Sequence, residues 1–168
     1  MERHEPAYVL DDRTMLESWL EYHRATLAWK CEGLTDAQLR ERSVPPSTMS
    51  LLGLVRHMAE VERSWFRRTL DGEDAPPMYY DRASNPDGDF DDVDSAPTEE
   101  GFATWQAECR RSREVAAGFT SLDDLGRGRR DGQEVSLRWV LVHMIEEYAR
   151  HNGHADLLRE RIDGATGD

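Results

Sequence analysis

Six histidines are spread along the 168-residue chain, and three of them share a narrow helical sector with a glutamate. At 100° per residue, His143, His154 and His151 fall roughly −40°, −20° and +40° from Glu147. Val140, Met144, Ala155 and Leu158 recur at helical spacing in the same segment, so this is the face that should bury. A carboxylate buried without a partner is costly, and histidines packed beside it do little to help. A metal ion resolves the conflict. Glu147 and His151 present two ligands one helical turn apart, and His57, between Leu54 and Val61 on an earlier apolar helix, can supply a third. Three protein ligands leave a coordination position open for water or substrate, the pattern of a catalytic rather than a structural site. Spacing alone leaves a second reading beside this one: a boundary histidine with a satisfied hydrogen bond, as for His23, and a surface Glu–His contact four residues apart.

The elements that must position these residues are helical. Met15, Leu16, Trp19, Leu20, Leu27 and Cys31 set the period of a first helix over about 12–31, closed by Gly33. A short helix over 35–40 is capped by Thr35, and Pro45-Pro46 breaks the chain. Ser50 caps a second long helix that runs to about Leu70, with Gly72 at its end. Thr98 is the expected N-cap of a third, which stops near Gly118. The fourth begins after Ser136 and runs to about Arg161, with Gly164 beyond it. Residues 119–135 read as a loop with a small hairpin. No segment alternates as a good strand does.

The fold class predicted is therefore all-α, a four-helix bundle in one domain over 1–168. The acidic, turn-rich connection over 72–97 is long enough to cross the ~30 Å of such a helix. It predicts up-down-down-up order with a crossover between the second and third long helices. If the second and fourth run antiparallel, His57 and His151 differ in level by about three residues, or ~4.5 Å, which side chains absorb.

Composition excludes several functions. A formal charge of −13 repels nucleic acid and anionic lipid. No apolar run nears the ~20 residues of a membrane span, and Met1–Glu5 has no apolar signal segment. Cys31 and Cys109 lack a CxxC arrangement and read as free thiols in a reducing cytoplasm. Cys109 lies on an apolar stripe. Cys31, near a helix end, is expected to be the accessible one. Lys30 is the only lysine among 21 basic residues, a skew that points to a GC-rich, actinobacterial source. Asp87, Asp89, Asp91, Asp92 and Asp94 imitate the start of a calcium loop, but the sixth position is Asp92 and the twelfth Thr98. They are expected to form a solvated acidic loop. There is no HExxH, no G-x-S-x-G and no phosphate-binding glycine motif.

The segments SLLGLVRHMAEVERSWF and SLRWVLVHMIEEYARHNGHADLLRERIDGATG resemble the DinB/YfiT-like metalloenzyme superfamily, and PPMYYDRASNPDGDFDDVD extends the likeness through the long loop to a mini-circle-type branch of actinobacterial proteins. The resemblance implies a crossover four-helix bundle whose ligands are one His on the second helix and an H-x3-H pair on the fourth. His57 and His151 match; Glu147 stands at the middle position and departs from the all-His form. The same His/Glu/His set is found in a mycothiol-dependent maleylpyruvate isomerase of the superfamily, where the metal is zinc. The superfamily includes transferases that use bacillithiol or mycothiol; a GC-rich actinobacterial source implies mycothiol as cosubstrate, with a second, electrophilic substrate. His57, Glu147 and His151 would then hold Zn²⁺, with Ni²⁺ or Fe²⁺ also compatible. His154 and His143 would orient those ligands or move protons.

Two other functions compete with a thiol-dependent S-transferase or isomerase. One is a metal-dependent hydrolase, favoured by a protein base near the ion. The other is a non-enzymatic metal-binding stress protein, favoured by the lack of a pocket beside the triad. A homodimer is also expected, as in many superfamily relatives, because Trp19 and Trp29 put more aromatic surface on the first helix than one core stripe needs.

Overall fold

The structure is a computed structural model that describes residues 3–167. Six α-helices, and no β-strand, occur among the described residues. They are α1 (Asp12–Cys31), α2 (Asp36–Arg40), α3 (Leu51–Glu62), α4 (Gly88–Asp91), α5 (Thr98–Ala117) and α6 (Leu137–Asp163). Arg63–Leu70 continues α3 as π-helical turns, and Asp92–Asp94 follows α4 as a 3-10 turn.

Side-chain caps start most of these helices where free backbone N–H groups need acceptors. Asp11 accepts from Thr14, Thr35 forms a capping box with Gln38, Ser50 accepts from Gly53 and Ser136 from Trp139. For α5 the expectation is off by one residue. Pro97 is the N-cap and makes no side-chain cap bond, while Thr98 is the first helical residue. Gly72 and Gly164 take φ of +71° and +79°, the left-handed conformation that ends helices.

Helix α1 packs mainly on α6, and α3 mainly on α5. Asp12 meets Arg138, His23 meets Asn152 and Lys30 meets Asp156, so numbering rises together along α1 and α6. Arg63 meets Glu108 and Asp71 meets Arg111, so it also rises together along α3 and α5. Between α3 and α6 it runs oppositely: His57 lies by His151, Glu62 by Tyr148 and Trp65 by Trp139. Leu20, Leu27, Leu54, Met58, Phe66, Trp105, Leu141 and Met144 close the core between them.

The long connection is bound to α3. Arg56 donates to the carbonyls of Asp89 and Gly88, each at 3.0 Å, and its guanidinium covers the Tyr79 ring. A Cβ at Gly88 would strike the Tyr79 carbonyl, so the chain passes there only as glycine. Of the acidic run, Asp87, Asp91, Asp92 and Asp94 are exposed as expected. Asp89 is not: it is buried, because it has found a histidine on α3.

Cys31 also corrects the sequence reading. It is 5% exposed, and burial pushes its thiol up to about 12, so it is neither accessible nor reactive. Cys109 is fully buried in the core, as its stripe implied. Both cysteines are free. Trp19 packs on Tyr22 and His23, and Trp29 lies under the cations of Arg3 and Lys30. Residues 118–136 form a loop with a tight Asp131-Gly132 turn, both residues at positive φ. No helix among the described residues is long and apolar enough to cross a membrane.

Candidate metal centre and its cleft

His57 comes from the inner side of α3, and Glu147 and His151 come from facing turns of α6. One ligand atom from each lies within 4.8 Å of the others. The His57 and His151 rings are 4.7 Å apart between centroids, and His151 Nε2 lies 3.4 Å from Glu147 Oε2. Their side chains remain 27%, 23% and 12% exposed for His57, Glu147 and His151, so the cluster sits at the edge of the core and can be reached. The hydrogen bond with His151 holds the Glu147 carboxyl below its ordinary value. Burial opposes this, and the neighbouring His143, His151 and His57 assist it.

Each of the three has an outer partner. Asp89 Oδ2 lies 2.7 Å from His57 Nδ1 and leaves Nε2 to face the cluster. His154 Nδ1 lies 3.4 Å from His151 Nδ1. His143 Nε2 lies 3.2 Å from Glu147 Oε1, with its ring stacked on Trp139 at 4.9 Å and against Trp65 at 4.5 Å. Burial, then His151 and Arg150, lower the His154 pKa and favour its neutral form. Two imidazoles with their rear nitrogens engaged, plus one carboxylate, form a donor set suited to a divalent transition metal. The residues present therefore fit such an ion. His143, Glu146 and Glu147 also lie close enough to share an ion, but all three come from one face of α6, and Glu146 is engaged by Arg150 at its exposed edge.

A cleft of about 300 Å³ opens beside the triad, lined by His57, Glu60, Trp65, Tyr80, Arg130 and Glu147 among others. A larger slot of about 420 Å³ lies elsewhere, between α1 and α5, and reaches none of the triad. Its charged groups pair with one another: Arg113 with Glu21, and Arg24 with Glu21 and Glu62. The smaller cleft is therefore the one that adjoins the candidate metal ligands.

All five residues singled out in sequence, His57, Glu147, His151, His143 and His154, meet here. Three others were missed. Asp89 sits in an acidic run whose other members are exposed, and no periodicity in a loop separates one aspartate from its neighbours. Arg130 arrives from the loop before α6, lies over Trp65 at 4.5 Å and donates to Ser64. Glu60 did carry a signal: it lies one turn beyond His57, on the same helical face.

Comparison with the curated proteins finds no match. A family described as mycothiol-S-transferase matches residues 15–164, a span that holds α2 to α6 and all but the first turn of α1. This agrees with the DinB/YfiT-like resemblance, since that family lies within the superfamily. With nearly the whole chain matched and the ligand-bearing helices inside the match, the chain belongs to the mycothiol-S-transferase family.

Proposed function

We propose that the protein is a divalent-metal-dependent S-transferase or isomerase that joins mycothiol to an electrophilic small molecule. The observation that carries this reading is the convergence of His57, Glu147 and His151 beside an open cleft, in a chain of this family. His57 Nε2, a Glu147 oxygen and His151 Nε2 would hold the ion, with Zn²⁺ preferred on the donor set and Ni²⁺ or Fe²⁺ acceptable to it. When bound, the ion supplies Lewis acidity that lowers the pKa of a thiol and keeps its thiolate in place. Asp89 holds the His57 ring in one tautomer. His143 fixes the outer oxygen of Glu147, and His154, favouring its neutral form, stands behind His151 to orient it or to accept a proton. Phe90 packs against the His57 ring at 5.2 Å and helps to fix its orientation. In a transfer, the thiol proton passes to a base, sulfur forms a bond to the electrophilic carbon, and the leaving group departs with its electron pair.

An open cleft favours this reading over an inert metal-binding stress protein, and family membership favours it over a hydrolase. We also assign the long helices to an up-down-down-up bundle with residues 72–97 as the crossover, supported by the rising and falling contact pairs along α1, α3, α5 and α6. Two free, buried thiols suit a cytoplasmic setting. The homodimer remains part of the proposal, and sedimentation at micromolar concentration tests it. The deciding experiment is element-resolved metal analysis of untagged protein, followed by assays of electrophiles with and without mycothiol. Stoichiometric metal and thiol-dependent turnover are expected. Protein with neither would overturn the assignment.

A further inference from the structure

One carboxylate in the cleft is used neither by the triad nor fully by the fold. Glu60 is 3% exposed. Its Oε1 accepts the backbone N–H groups of Met78 and, at 2.7 Å, Tyr79, which fixes the side chain against the crossover segment. Its Oε2 is buried and has no partner. A buried oxygen left unpaired is costly, the more so if charged, so it calls for a donor from outside the chain. The nearby cations are engaged elsewhere. Arg56 donates to Gly88 and Asp89 carbonyls, and Arg130 lies on Trp65 and donates to Ser64. The cleft lining includes Glu60, Asp87, Asp89 and Glu147 against Arg130 as its one arginine. A ligand bearing carboxylates would meet this acidic wall. A neutral ligand rich in hydroxyl or amide N–H donors would satisfy it, as carboxylates commonly bind polyols.

We infer that Glu60 Oε2 anchors the sulfur-free, donor-rich part of the cosubstrate, and that the cleft selects neutral polyhydroxylated thiols over carboxylated ones. This rests on the thiol-transfer reading and adds a specificity residue to it. Glu60 is an anchor that touches substrate; it takes no part in holding the ion.

The test is calorimetric titration of N-acetylglucosaminyl-inositol, a neutral, thiol-free core of mycothiol, into metal-stripped and metal-loaded protein. Wild type should bind it saturably in both states. Glu60→Gln should weaken binding ~10–100-fold, the worth of a hydrogen bond to a charged group, with metal content and circular dichroism unchanged. S-methylglutathione, a carboxylated probe, should not saturate wild type, and this arm needs no variant to fold. No binding of the core by wild type, equal binding by Glu60→Gln, or binding of S-methylglutathione as tight as that of the core would each overturn the proposal. So would a fall in kcat with KM unchanged, which would make Glu60 a base. Wild type that binds the core without any thiol-dependent activity would keep the anchor and remove the transferase reading. Activity on mycothiol that Glu60→Gln leaves intact would do the reverse.

Discussion

Glu62 and Glu147 are carboxylates on facing helices, and their oxygens are treated in opposite ways. Glu62 is fully buried. Arg24 donates to both of its oxygens at 2.7 Å, and the Tyr148 hydroxyl adds a third bond at 2.7 Å. Trp105 donates in turn to Tyr148, which completes the network. Burial alone would raise the Glu62 carboxyl, but the Arg24 guanidinium outweighs it and holds the group below its ordinary value. Glu147, on the residue before Tyr148, is partly exposed, and its oxygens meet only imidazoles, at 3.2 and 3.4 Å. A saturated network has no capacity left for a ligand. A cluster of neutral or titratable donors at longer range keeps its lone pairs for an ion. Adjacent residues of α6 thus serve structure and site separately, because one faces the interior and the other faces the cleft.

Breaking the closed cluster should cost the most. Arg24→Met leaves the Glu62 carboxylate buried and unpaired, and a loss of ~3–5 kcal/mol is expected in urea unfolding. Arg24→Met/Glu62→Leu should recover much of that loss. The acid limb gives a further check. The Glu62 carboxyl lies lower in the folded chain than its ordinary 4.5, so its stabilisation is complete above that value and is lost as pH falls through the folded value. Stability of the double variant should therefore fall less steeply with acid than that of wild type. An equal slope would mean that Glu62 is not the group responsible.

In the open cluster, a ligand change should affect metal rather than fold. His151→Ala is expected to lose stoichiometric metal and any activity while keeping its helical circular dichroism. Zinc at about 100 times Kd should stabilise wild type by ~2.7 kcal/mol and the variant not at all. Metal retained by His151→Ala would shift attention to His143 or His154 as the ligand.

Smaller effects separate the outer partners. Asp89→Asn should weaken metal binding ~10–100-fold, as loss of a group that orients a ligating histidine does, read by competition with a chromophoric chelator. An unchanged affinity would reduce Asp89 to a loop contact. The smallest effect concerns the thiols. Cys31 and Cys109 should react with a disulfide reagent only on unfolding, since burial holds both thiols well above their ordinary value. Fast labelling of native protein would contradict the packing around α1.

Much of this molecule was legible in its residues. The four long helices and the placement of His57, Glu147 and His151 on apolar helical faces follow from a 3.6-residue period, which is a local property, and Ser50 was legible as a cap from its residue type and place. The nearness of His143 and His154 to Glu147 and His151 also follows from their place on the α6 sector. The tertiary structure decided the rest. Asp89, Glu60 and Arg130 reach the cleft through segments that come together only when the long connection lies on α3, and an aspartate in an irregular loop has no periodicity to reveal which way it points. Cys31 was misjudged because a helix end is exposed only if nothing packs over it. Arg24 and Glu62 stand 38 residues apart on different helices, and a pair between distant charges is visible only after their helices have met.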